Sequence, residues 1–147
     1  MECFFYWVMQ LFLLSKYTIY IKGYNFRAHS LGILFYATYL AVFLNHVYQS
    51  LGDMKIHGLV YGITLSFYGS LTIMQLLNKV TLGNVYLFFG VFIFSVRDVL
   101  LTYNKNYFYE DIFTYSVTIL HIAGFFLIIK AFMRYEDYVS SQVVKNA

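Results

Sequence analysis

The sequence has no proline, one cysteine and few charged residues, and each shortage excludes a structural feature or a class of protein. Without proline, no helix in the chain carries a proline kink. Cys3 on its own excludes an internal disulfide and a cysteine-based zinc cluster. Charged residues make up 12% of the 147 residues, about half the share that a soluble domain carries. Because 61% of the residues are hydrophobic, we expect much of the surface to contact lipid, and the sequence predicts an integral membrane protein.

Five long apolar stretches approach the roughly 20 residues that a helix needs to cross a bilayer. Their hydrophobic residues run continuously, which favours helices over the alternating strands of a membrane barrel. Because the connections are short and polar, sequential helices are expected to be antiparallel. The sequence therefore predicts an all-α integral membrane protein, a bundle of about five antiparallel transmembrane helices over residues 1–134 with a polar cytoplasmic tail at 135–147. The predicted spans are 3–21, 31–50, 58–77, 85–103 and 112–133.

Lysine and arginine residues are distributed unequally about these spans. Only Lys55 and Lys105 lie on one side of the predicted bundle, and seven others lie on the opposite side. The positive-inside rule therefore predicts a cytoplasmic C-terminus and an outside N-terminus. The net charge of +3 is spread along the chain, which excludes nucleic acid as a partner, and residues 1–15 lack the basic start of a signal peptide.

The third predicted span carries small residues at every fourth position, namely Gly58, Gly62, Ser66 and Ser70. Small residues at this spacing let two helix backbones approach closely. We expect the stripe to pack against another helix of the same bundle, with homodimerisation as the alternative. Tyr61 lies beside the stripe, where its hydroxyl can point into the bundle.

Arg97 and Asp98 lie side by side near the end of the fourth predicted span. Successive helical residues point about 100° apart, so the two side chains are predicted to face different directions and not to form an ion pair. Arg97 is long enough to reach the membrane boundary. Asp98 is short and lies about 8 Å inside the span, so it must face a partner or a pocket. Asp98 is therefore the leading candidate for a functional residue, with a structural role as the alternative.

Histidines provide further candidates for chemistry within the spans. His46 is predicted to lie at a depth comparable to that of Asp98, so a cavity shared by the two could support acid–base chemistry. His121 lies deeper in the last span, where hydrogen-bonded packing is the alternative to a functional role. His29 and His57 fall at predicted helix ends and indicate no special role.

Recognisable catalytic or cofactor motifs are missing from the sequence. It has no glycine-rich phosphate loop, no GxSxG or HExxH motif and no paired His/Cys cluster, so neither a metal nor a cofactor is predicted. Asn104 and Lys105 are predicted to end the fourth helix. Glu110 and Asp111 are predicted to begin the fifth, because negative charge is favourable at a helix N-terminus.

The stretch GVFIFSVRDVLLTYNK carries polar residues in a distinctive register. It resembles the penultimate span of the YhhN or lysoplasmalogenase-like family, whose pattern is G-x-x-x-F-x-x-S-D-x-x-L-A-x-N-K. Arg97 replaces the serine of that pattern, and Thr102 replaces its alanine. Tyr61 resembles a family tyrosine in the preceding span, and Gly124 stands where the family has a glutamine. The matching positions are Gly90, Phe94, Asp98, Leu101, Asn104 and Lys105.

The resemblance implies hydrolysis of the vinyl ether bond of lysoplasmalogens, giving a fatty aldehyde and a glycerophospho-headgroup, in a bacterial inner (plasma) membrane. Family members are expected to use two aspartates from different spans. Asp98 matches the later one, whereas no second acidic residue lies at membrane depth in this sequence. The family has additional spans upstream, so the resemblance also implies that this chain corresponds to its C-terminal five spans.

Two functional hypotheses follow. The first is a lysoplasmalogenase that uses Asp98 as acid or base, with supporting or substrate-binding roles for Tyr61, Asn104, His46 and His121. The alternative is a non-catalytic relative that binds lipid or has a structural role. Under both, the partner is a membrane lipid or a lysophospholipid. A small-solute transporter ranks last, because it would need more polar groups within the spans.

Overall fold

The computed structural model describes residues 8–9, 12–13, 15–17, 21, 23–48, 55–104 and 110–145 of the chain. All regular secondary structure in these residues is helical, as the sequence predicts. The helices are α1 (Phe26–Val47), α2 (Lys55–Asn78), α3 (Leu82–Tyr103) and α4 (Asp111–Lys145). Residues 8–9, 12–13 and 15–17 are also helical, and the rest of the first predicted span, 3–21, lies almost entirely outside the described residues.

Four helices are long and apolar enough to cross a membrane, and their candidate spans are Phe26–His46, Gly58–Asn78, Leu82–Tyr103 and Asp111–Asp137. Hydroxyl groups on the outer faces of these helices donate to the carbonyl four residues earlier in the same helix, at 2.8 to 3.0 Å. A hydroxyl that donates to a carbonyl of its own helix needs no water as a hydrogen-bond partner, which suits a surface that faces lipid. The architecture is therefore that of an all-α membrane protein. The hydroxyl-bearing residues are Ser30, Thr38, Thr64, Ser116 and Thr118.

Two helix boundaries differ clearly from the prediction. α1 begins at Phe26, five residues before the predicted span 31–50, because the Asn25 side chain caps it by accepting from the Arg27 and Ala28 amides at 3.1 and 3.3 Å. The chain reaches this cap through Gly23, whose φ of 78° lies in the left-handed region that favours glycine. α4 continues to Lys145, so the predicted tail is helical as far as that residue. Its cytoplasmic location stays a prediction.

The chain divides into two compact units, Met1–Asn78 and Lys79–Ala147, here called the N-terminal and C-terminal units. α1 and α2 pack against each other in the first, and α3 and α4 pack against each other in the second. Both helix pairs are antiparallel. The single bundle over residues 1–134 stays a prediction.

In the N-terminal unit, the backbones of α1 and α2 approach closely where Gly32 faces Ser70. A Cβ atom added to Gly32 would lie 2.6 Å from the Ser70 carbonyl oxygen. Gly62 faces Leu40 of α1 in the same way, with 2.5 Å from its ideal Cβ to the leucine Cδ1. Two members of the small-residue stripe, Gly62 and Ser70, therefore contact α1 of the same chain, which is the packing role expected of them. Homodimerisation through the stripe stays a prediction.

The C-terminal unit has an equivalent close approach between Gly90 of α3 and Gly124 of α4. A Cβ added to Gly90 would lie 3.1 Å from the Gly124 oxygen, and one added to Gly124 would lie 3.3 Å from the Gly90 oxygen. Packing at small residues holds membrane helices together, because lipid provides no hydrophobic force between them. This crossing point fixes which residues of α3 and α4 meet on either side of it, including Phe94 and His121.

Candidate functional site

Arg97 and Asp98 form an ion pair buried within α3. Their residues are 5% and 9% exposed. The Arg97 Nε donates to Asp98 Oδ1 at 2.9 Å, and Nη2 donates to the same oxygen. The prediction that the two side chains point apart was wrong. Helical geometry sets only the direction of each Cα–Cβ bond, and the three methylenes of arginine let the guanidinium fold back onto its neighbour.

The same guanidinium reaches α4 through His121. Arg97 Nη1 donates to His121 Nδ1, so one side chain of α3 bonds both Asp98 and the facing helix. Arg97 is long enough to reach the membrane boundary, but its guanidinium is directed at Asp98 and His121 instead. Its guanidinium carbon also lies 5.2 Å from the centre of the Phe94 ring, within the range of a cation–π contact. Arg97, Asp98 and His121 together are called the Arg97 cluster.

The charges of the Arg97 cluster balance within the helix pair. A guanidinium stays protonated in proteins, and here it faces a carboxylate and balances its charge within an apolar span. Asp98 thus has the partner that its short side chain was predicted to need. Among the described residues, no group of three or more His, Cys, Asp or Glu side chains could hold a metal ion.

Asn104 joins the end of α3 to the start of α4. It caps α3, as predicted, and is 7% exposed. Its Nδ2 donates to Thr114 Oγ1 at 3.1 Å, and its Oδ1 accepts from the Glu110 amide at 2.9 Å. α4 then begins at Asp111, also as predicted, whereas Lys105 lies outside the described residues. Asn104 therefore has a clear structural role, and its support of chemistry at Asp98 stays a prediction.

His46 and Tyr61 belong to the N-terminal unit. The exposed His46 side chain donates from Nδ1 to the Val42 carbonyl at 2.8 Å, four residues back in α1. Tyr61 is half-buried on α2. The predicted cavity shared by His46 and Asp98, and the binding role of Tyr61, stay predictions.

His29 is a buried polar residue to which the sequence assigned no role. Its Nε2 lies 3.1 Å from the Ser70 hydroxyl, which itself donates to the Phe67 carbonyl at 2.7 Å. Because that hydroxyl has a single proton, it accepts from His29 Nε2–H, and His29 Nδ1 accepts from the Tyr24 hydroxyl. This chain of hydrogen bonds ties α1 to α2. Ser70 is completely buried, so the arrangement contributes to the packing of α1 against α2.

One sequence signal could have identified His29. It lies three residues before Gly32, on the same face of α1, and that glycine marks the side on which another helix approaches. The pattern repeats in α4, where His121 lies three residues before Gly124. In each pair, the histidine bonds a polar side chain of the partner helix, Ser70 or Arg97.

No protein-family model, curated protein or solved structure matches this chain. The resemblance to the lysoplasmalogenase-like family therefore rests on the residues quoted for it alone.

Proposed function

We propose that this chain is a membrane protein that binds a lysophospholipid at the Arg97 cluster, as a non-catalytic relative of the lysoplasmalogenase-like family. The observation that carries the proposal is the buried ion pair of Arg97 and Asp98 within a candidate span. Ionisable side chains inside a span are costly, and they commonly line a path or bind a substrate. The bacterial plasma membrane and a cytoplasmic C-terminus are part of the same proposal, from the resemblance and from the distribution of lysine and arginine.

The depth of the cluster supports a lipid as the ligand. Asp98 lies five residues before Tyr103, the last residue of α3, which corresponds to about 8 Å along the helix axis. A lysophospholipid with its phosphate at the membrane boundary has its glycerol, and the linkage to its hydrocarbon chain, at a similar depth. The polar part of such a lipid would therefore meet the one charged cluster of α3.

The ion pair favours binding over hydrolysis. Hydrolysis of a vinyl ether begins with protonation of a carbon atom, which gives an oxocarbenium-like ion that water then attacks. Asp98 Oδ1 accepts two hydrogen bonds from the Arg97 guanidinium, and this positive charge favours the carboxylate over the protonated acid that would donate a proton.

Vinyl ether hydrolysis is the second candidate function, and the register of Asp98 within GVFIFSVRDVLLTYNK favours it. In this mechanism, the Asp98 carboxylate stabilises the oxocarbenium-like ion by its charge, and the proton is donated by another group. His46, His121, Tyr61 and Asn104 are the supporting residues under this candidate.

One experiment separates the two candidates. Purified protein in detergent is given lysoplasmalogen, and bound lipid is counted by native mass spectrometry while released aldehyde is assayed. Binding without aldehyde supports the non-catalytic proposal. Aldehyde release that is lost in Asp98→Asn, but retained in the exposed control Asp111→Asn, supports the hydrolase instead. If wild type neither binds nor cleaves the lipid, both candidates are wrong.

A further inference from the structure

The stretch of chain that leads into α1 is both basic and aromatic. Residues 3–52 contain Lys16, Lys22 and Arg27 and no aspartate or glutamate. All three cationic residues lie within the sequence KYTIYIKGYNFR, residues 16–27, which also contains three tyrosines and a phenylalanine. Because no carboxylate of this stretch balances the positive charges, the stretch suits an anionic partner.

Residues 23–27, here called the entry segment, lie where α1 enters a candidate span. Phe26 is the first residue of both the helix and the span. The side chains of Tyr24 and Phe26 are 63% and 74% exposed, and Arg27 is exposed as well. Exposed aromatic residues at the end of a span are typical of the boundary between hydrocarbon and headgroups. The exposed Arg27 therefore lies at the level of the lipid phosphates.

Hydrogen bonds of three side chains hold the entry segment in one conformation. Asn78, the last residue of α2, donates from Nδ2 to the Gly23 carbonyl at 3.2 Å. The Tyr24 hydroxyl donates to His29 Nδ1. The Asn25 side chain caps α1. Because the segment is already ordered, a ligand bound there would lose little affinity to the cost of ordering it.

Lys16 brings a second exposed cation to the same end of the N-terminal unit. The next residue, Tyr17, is completely buried, and its hydroxyl donates to the Leu71 carbonyl at 3.3 Å. Leu71 lies in the last two turns of α2, the helix whose final residue bonds the entry segment. A lysine at this depth can extend its side chain along apolar surface towards the headgroups. Lys16 and Arg27 therefore lie towards one end of the helix pair.

We propose that the entry segment and Lys16 form a binding surface for the headgroup of an anionic phospholipid, with Arg27 as the residue that contacts the phosphate. A guanidinium is always charged and can donate to two phosphate oxygens at once. A zwitterionic lipid carries its own cation beside the phosphate, so it matches a cationic surface less well. The exposed Tyr24 and Phe26 favour a lipid over a free phosphate, because only a lipid offers them apolar contacts. This surface belongs to the N-terminal unit and does not depend on the lysophospholipid binding proposed for the Arg97 cluster.

Photocrosslinking in proteoliposomes tests the surface. The full chain is reconstituted into phosphatidylcholine vesicles with a trace of a lipid that carries a photoreactive group near its glycerol. This lipid is phosphatidylglycerol in one sample and phosphatidylcholine in the other, and labelled peptides are quantified by mass spectrometry. Residues 48–55, which connect α1 to α2 at the other end of the pair, serve as the reference because their charged residues, Asp53 and Lys55, balance.

We expect wild type to be labelled at residues 23–27 by phosphatidylglycerol in preference to phosphatidylcholine, relative to the reference, with roughly a fivefold contribution from each cation. Arg27→Gln should lower this preference roughly fivefold. Arg27→Lys, which keeps the charge, should retain it. Lys16→Gln should also lower it, and the effects of Lys16→Gln and Arg27→Gln should multiply in the double variant.

Two results would contradict the proposal. An equal preference at residues 23–27 and at the reference in wild type would overturn it, and would indicate that the exposed cations face another partner, such as an acidic protein. If Arg27→Lys lowers the preference as much as Arg27→Gln does, recognition of the headgroup by the charge of Arg27 is wrong. Binding and cleavage of lysoplasmalogen test the Arg97 cluster separately, so the failure of either proposal leaves the other standing.

Discussion

The guanidinium of Arg97 folds back onto the carboxylate of Asp98, the next residue of the chain, and both charges are buried in α3. Breaking such a pair leaves one charge without compensation in apolar surroundings. Removing both charges together also removes the cost of burying them, and is often neutral or stabilising.

The first prediction follows from this asymmetry. We expect Arg97→Met to lower the free energy of unfolding by about 3–5 kcal/mol, because the buried Asp98 carboxylate loses the guanidinium that balances its charge. In the double variant Arg97→Met/Asp98→Leu, the free energy of unfolding should be within about 1 kcal/mol of the wild-type value or higher. The free energy of unfolding in mixed micelles, measured by titration with a denaturing detergent, checks both values.

Arg134→Met is the control for this series, because it removes an exposed arginine and should change stability by no more than about 0.5 kcal/mol. If the single and double variants are destabilised equally, the ion pair does not determine the stability of α3.

The second prediction concerns the close approach of Gly32 to Ser70. The Cβ of Gly32→Ala would lie 2.6 Å from a backbone oxygen, which cannot move without shifting α2. We expect this variant to lose about 1–3 kcal/mol of unfolding free energy in the same assay. Gly83→Ala is the matched control, because its Cβ would lie 3.3 Å from a side-chain atom, in the Tyr135 ring, and not against backbone, and alanine favours a helix by up to about 1 kcal/mol. Equal losses in both variants would contradict the assigned crossing point.

The helices were the predictable part of the fold, because long apolar runs indicate spans whatever their neighbours are. The start of α1 was missed for a local reason. Arg27, His29 and Ser30 make its beginning polar, and a polar stretch between two apolar runs is typical of a loop. Asn25, a strong capping residue, was the signal for the true boundary.

The site was predictable only in part. The insertion cost of a carboxylate indicated that Asp98 needs a partner. A helical projection gives only the angle at which each side chain leaves the helix. It could therefore not show that the Arg97 side chain bends back and becomes the partner of Asp98. His121 could not be assigned either, because its contact with Arg97 depends on the register of α3 against α4. Gly90 and Gly124 set that register, and one sequence does not show that they meet.

The third prediction tests the role of His29. In Ser70→Ala, the Nε2–H of His29 loses its acceptor within a buried contact. We expect this variant to lose about 1–3 kcal/mol of unfolding free energy, the usual cost of an unsatisfied buried donor. Ser116→Ala is its control, because this exposed hydroxyl donates to the Ile112 carbonyl of its own helix. The substitution should change the free energy of unfolding by no more than about 0.5 kcal/mol. Similar values for the two serine variants would contradict the hydrogen-bonded chain.

The fourth prediction concerns Asn104, which fixes the end of α3 against the start of α4 and so helps to hold Arg97 level with His121. Asn104→Ala removes both the bond to Thr114 and the acceptor of the Glu110 amide. We therefore expect faster hydrogen exchange at the Glu110 amide and a loss of about 1–2 kcal/mol of unfolding free energy.

Thr114→Val isolates one of these two bonds. It removes the hydroxyl that Asn104 Nδ2 contacts but leaves Oδ1 in place, so the Glu110 amide should stay protected while stability falls by a smaller amount. Thr118→Val, one turn further along α4, should alter neither quantity, because its exposed hydroxyl bonds only back to the Thr114 carbonyl. Loss of Glu110 protection in Thr114→Val would show that the two bonds form as one unit. Unchanged exchange in Asn104→Ala would mean that Asn104 does not join the helices.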